Sequence, residues 1–97
     1  MNKFTTEGNA LFAAGDLDTR DIGAFEQAAT SLLAETEGEI LLDFTGVQYM
    51  PSSFLGMLMS FRGRLAKEGR GFRLRPSPVV HQLLTLTGVI SSITIEE

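Results

Sequence analysis

Glu39-Ile40-Leu41-Leu42-Asp43-Phe44 has a near-continuous apolar middle, which predicts a strand buried on both faces at the centre of a sheet. Thr45-Gly46 predicts a turn, Val47-Gln48-Tyr49-Met50 extends the chain beyond it, and Pro51 stops regular pairing. Downstream, Phe54, Leu58, Phe61 and Leu65 fall in one row with Leu55 beside it, so a helix is expected from about Ser52 to Lys67. Gly69 and Gly71 bracket Arg70 and end it. Phe72-Arg73-Leu74-Arg75 then alternates with period two, the pattern of a half-exposed strand. Strand, helix and strand in this order call for a right-handed parallel crossover.

The same grammar extends both ways. Toward the N-terminus, Lys3 to Thr6 and Ala10 to Ala14 are strand candidates joined by Glu7-Gly8-Asn9, which suits an antiparallel hairpin. Asp18 or Thr19 can cap a helix from about Ile22 to Ala34, whose stripe is Ile22, Phe25, Ala29, Leu32 and Leu33. Toward the C-terminus, Ser77-Pro78 starts a helix lined by Val80, Leu83, Leu84 and Thr87, and Gly88 closes it. Ile93-Thr94-Ile95 is a last short strand. The expected order is β-β-α-β-α-β-α-β in a single α/β domain spanning residues 1–97.

Composition narrows the chemistry. The chain has no cysteine, which removes disulfides, thiolate metal sites and cysteine nucleophiles. His81 is the one histidine, so neither a metal site nor a catalytic base is expected, and the protein is not read as an enzyme. Asp16, Asp18 and Asp21 look like a turn and a cap rather than a calcium loop, because that loop's Gly and Glu are missing. No cofactor is called for. The N-terminus has no long apolar run and Phe54 to Phe61 is far too short to span a bilayer, so a cytoplasmic protein without direct membrane insertion is expected.

The net charge of −4 disfavours nucleic acid as a partner. Charge is unevenly spread, with two basic and nine acidic groups in residues 1–61 and six basic groups against Glu68 in residues 62–75. That basic belt is either a solvated surface or a patch for an acidic partner or a nucleotide, although no phosphate loop accompanies it. Gly56 and Gly63, inside the long middle helix, are explained either by close packing on the sheet or by a partner's close approach.

Met50-Pro51-Ser52-Ser53-Phe54-Leu55-Gly56 is the chemically distinctive junction. Two hydroxyls sit where a strand hands over to a helix. One serine suits an N-cap, and the helix start also favours a phosphate through its free N–H groups and partial positive charge.

Gly15-Asp16-Leu17-Asp18, Ile40 to Val47, Ser52 to Gly56, Gly69 to Leu74 and Leu83 to Val89 together resemble the STAS domain, in order and over nearly the whole chain. The resemblance implies a mixed sheet of about five strands with three or four helices packed mainly on one side. It further implies a partner-switching role like that of the bacterial anti-sigma factor antagonists. Such a protein binds a serine-kinase anti-sigma factor, is released by phosphorylation at the second serine of the junction, and is restored by a phosphatase. The acceptor would be Ser53, with Ser52 as fallback, and the docking surface would include Asp16, Asp18, Pro51, Ser52, Phe54, Gly56 and Met57. Pro51 and Phe54 depart from the family's Asp-Ser-Ser-Gly-Leu-Gly pattern. They favour an alternative, a constitutive scaffold or transporter-associated subunit that is never phosphorylated. A Met57–Phe54 pair, if exposed, also leaves room for a homodimer.

Overall fold

The computed structural model describes residues 2–96. Its elements are β1 (Phe4–Glu7), β2 (Ala10–Asp16), a 3-10 turn (Thr19–Asp21), α1 (Ile22–Glu35), β3 (Ile40–Tyr49), α2 (Ser52–Lys67), β4 (Phe72–Pro76), α3 (Pro78–Leu86), a second 3-10 turn (Val89–Ser92) and β5 (Thr94–Ile95). The five strands lie in the order β1-β2-β3-β4-β5. The first pair is antiparallel and the other three are parallel, so the sheet is mixed.

Each crossover advances one strand in the same direction. Right-handed connections then put all three helices over the same face. Burial agrees: Phe25 and Leu32 of α1, Phe54, Leu58 and Phe61 of α2, and Val80 and Leu84 of α3 share one core with Leu11, Leu42, Phe44 and Leu74 of the strands. The opposite sheet face carries Phe12, Leu41 and an ionic lattice. There Asp43, only 6% exposed, accepts from Thr45 N–H at 3.0 Å and Oγ1 at 2.6 Å, and from Arg75 at 3.1 Å. Arg73 joins Glu39 at 2.9 Å and also pairs with Glu96, and Arg75 reaches Glu96 at 3.1 Å. These bonds stitch β3 and β4 to the residue that follows β5.

The expected turn at Thr45-Gly46 is not one. The strand continues through it as a bulge: Phe12 pairs with Asp43 but Ala14 with Gly46, leaving one extra residue on β3. A Cβ on Gly46 would stand 3.1 Å from the Cβ of Ala14, so glycine serves close strand approach there. The hydroxyl cap expected at α2 is also corrected. Pro51 occupies the N-cap position, and Ser52 and Ser53 are already the first two helical residues. At α3, in contrast, Ser77 Oγ does accept from Val80 N–H at 3.2 Å, with Pro78 in the first turn.

Candidate functional site

The junction after β3 faces the connection after β2, because the two strands run parallel and end side by side. The β2 connection is tightly held. Asp18 Oδ1 accepts from Arg20 N–H at 2.8 Å, and Asp21 Oδ2 accepts from Asp18 N–H at 2.8 Å, a reciprocal capping box. Lys3 Nζ adds bonds to Asp16 O at 2.7 Å and Asp21 Oδ2 at 2.9 Å. Leu17 N–H donates to Tyr49 O at 2.9 Å, tying this turn to the end of β3. Thr19 is thereby presented to α2, and its Oγ1 lies 2.5 Å from Ser53 Oγ.

Ser52 and Ser53 are both exposed, at the N-terminal turn of a helix whose cap supplies no side-chain acceptor. Beside them is an open depression of about 470 Å³ lined by Lys3, Asp16, Asp18, Arg20, Asp21 and Tyr49. Tyr49 is 55% exposed, an aromatic surface at the mouth of this hollow. The Asp18 carboxyl is held below the ordinary carboxylate range by the Arg20 side chain and then by the Arg20 N–H. The rim is thus a rigid, mixed-charge surface with two accessible hydroxyls at a helix start.

The residues assigned to docking divide. Asp16, Ser52 and Gly56 are exposed, Asp18 and Pro51 half-buried, and all lie at or beside the rim. Phe54 is corrected. Its ring is 0% exposed and packs among Phe4, Phe25 and Phe44, so it offers a partner no surface. Met57 is half-buried against the same core, and the exposed Met57–Phe54 pair does not exist. Close packing does not explain Gly56 or Gly63: a Cβ at either meets nothing within 4 Å. With Ser52, Ser53 and Ser60 they leave the outer side of α2 nearly bare of side chains.

The basic belt is dispersed rather than gathered. Arg70 is spent on Gly38 O, Leu33 O and Thr36 Oγ1, Arg73 and Arg75 on the ionic lattice, and Arg64 on Glu26 and the Phe61 ring. No group of His, Asp or Glu among the described residues is arranged to hold a metal ion. No helix among them is long and apolar enough to cross a membrane. Thr19, Tyr49, Lys3, Arg20 and Asp21 are rim residues that sequence patterns did not single out as docking groups. Thr19 read only as a cap, and Tyr49 only as strand continuation.

A family model described as "Mlab, STAS domain" matches residues 2–93. Among solved structures, an anti-sigma factor antagonist from Mycobacterium paratuberculosis superposes with a TM-score of 0.75 at 21% identity, covering 95% of this chain and 80% of that one. A candidate anti-sigma factor antagonist from Thermotoga maritima gives 0.76 at 18% identity, covering 97% and 84%. These likenesses establish a shared fold. No curated protein matches the chain.

Proposed function

Because the chain belongs to the STAS domain family, we propose that it is a non-catalytic cytoplasmic docking module of the anti-sigma factor antagonist kind. Its partner, a serine-kinase anti-sigma factor, grips the rim between the β2 connection and the start of α2. Phosphorylation of Ser53 releases that partner, and a phosphatase resets the switch. The observation that carries this reading is the exposed Ser53 hydroxyl at the first turn of α2, beside a preformed surface. A phosphate there adds about 1.5 to 2 negative charges. It is stabilised by the helix terminus of its own domain while it displaces the Thr19 contact and repels an acidic partner surface. The bare outer side of α2 at Gly56 supports close approach by the partner's backbone.

Intact-mass analysis after incubation with the cognate kinase and ATP tests the switch. One phosphate on wild type and none on Ser53→Ala is the expected result. Ser53→Asp should lose the partner in a pull-down, by roughly tenfold or more in affinity. Unphosphorylated wild-type protein, or phosphate far from Ser52 and Ser53, overturns it.

A second reading is favoured by the start of α2, where the family's Asp and Gly are replaced by Pro51 and the buried Phe54. Pro51 removes a carboxylate that would position a kinase. In that reading the same rim holds a transporter or scaffold partner constitutively, and wild type and Ser53→Asp recover it equally.

A further inference from the structure

Ser52 and Ser53 are adjacent exposed hydroxyls in the first turn of α2, yet their surroundings differ. Ser53 Oγ stands 2.5 Å from Thr19 Oγ1. Ser52 Oγ makes no hydrogen bond among the described residues.

The backbone beneath Ser53 is fixed from both sides. Pro51 holds the N-cap position in extended geometry, with φ −78° and ψ 160°. Phe54 N–H donates to Pro51 O at 3.0 Å, and the Phe54 ring is buried among Phe4, Phe25 and Phe44. Rotation about χ1 is then the freedom left to the Ser53 side chain, and that torsion has three staggered wells. The contact with Thr19 selects one of them. Thr19 is itself held in place, because the reciprocal bonds of Asp18 and Asp21 close its turn and Lys3 Nζ ties Asp21 Oδ2 to the residue before β1.

We propose that Thr19 is a positioning residue that makes Ser53, and not Ser52, the phosphate acceptor by holding the Ser53 oxygen in one orientation. This rests on the phosphorylation switch proposed above and supplies its site selectivity. In the transfer, Ser53 Oγ attacks the γ-phosphorus of ATP, the bond from that phosphorus to the bridging oxygen breaks, ADP leaves, and the hydroxyl proton passes to a base of the kinase. A hydroxyl oxygen carries one proton and two lone pairs. With Thr19 donating, one lone pair of Ser53 is engaged, while its proton stays available to the base and its other lone pair to phosphorus. The role requires a hydroxyl at position 19. Serine supplies it, and valine keeps the shape of threonine without it.

Site-resolved phosphorylation kinetics with the cognate kinase and ATP test the proposal. A single hydrogen bond of this kind is worth a factor of roughly three to ten. Thr19→Val should lower kcat at Ser53 by about that factor, leave KM unchanged because the rim keeps its shape, and raise the share of phosphate on Ser52. Thr19→Ser should restore both rate and site. Wild-type rate and site distribution in Thr19→Val overturn the proposal and leave the switch standing, as does a Thr19→Ser protein as slow as Thr19→Val. A wild-type protein that takes no phosphate overturns both. Urea unfolding reads the contact without the kinase: the midpoint losses of Thr19→Val and Ser53→Ala should be less than additive in the double variant. Additive losses overturn the proposal whatever the kinase does.

Discussion

Phe54 shows how one position can be legible in part. Its place in the row with Leu58, Phe61 and Leu65 marks the core side of a helix, and there it lies, with the three rings of Phe4, Phe25 and Phe44 each within 6.3 Å of its own. Periodicity gives the side of a helix but not what a ring meets, so adjacency to two serines also suggested a surface contact. Phe54→Ala should cost about 3 to 5 kcal/mol in urea unfolding; a loss under 1 kcal/mol would show that the cluster tolerates the void. Thr19 is the converse case. Its contact with Ser53 spans two connections that only the parallel pairing of β2 with β3 brings together, and no local pattern announces it. Asp43 breaks an otherwise apolar run, and its partners, Thr45 and Arg75, explain it. Burial raises its carboxyl, but the Thr45 bonds and Arg75 outweigh that and hold it below its ordinary 3.8.

Among the elements, the helices were the more legible. α2 runs from Ser52 to Lys67, as the apolar row and its terminating glycines require, because a stripe of period 3.6 has one way to meet a sheet. The bulge in β3 was not legible, since Gly after Thr marks a turn as readily as a close strand approach. Within α2, Gly56 and Gly63 open to solvent. Gly56→Ala and Gly63→Ala should therefore each stabilise the fold by about 0.5 to 1 kcal/mol, read from the urea midpoint. Their effects on docking should differ. Gly56→Ala weakens partner capture because it fills the rim, and Gly63→Ala, two turns away, leaves capture unchanged. Equal effects would move the docking surface along the helix. Ser77→Ala should cost about 1 kcal/mol through loss of the cap on α3, seen as a lower Tm.

Over the whole molecule, the charged residues divide between the sheet's open face and its surface, and their pH response is fixed in sign. Asp43 and Glu96 have carboxyls lowered in the folded state, Glu96 chiefly by its bond from Arg73. A carboxyl lowered by folding contributes stability above its unfolded value and loses it as pH falls through its folded value. Tm should be level through neutrality, begin to fall once pH drops below the ordinary 4.5 of Glu96, and fall further below the ordinary 3.8 of Asp43. Asp43→Asn should flatten that acid limb; an unchanged limb would assign acid sensitivity elsewhere. The strictly sequential strand order has a separate outcome for how the protein is made. Each strand leaving the ribosome finds its neighbour already synthesised, and none must wait for a later segment to fill a gap beside it. Assembly can proceed vectorially from the N-terminal hairpin, with the two-residue β5 joining a sheet edge that β4 already presents.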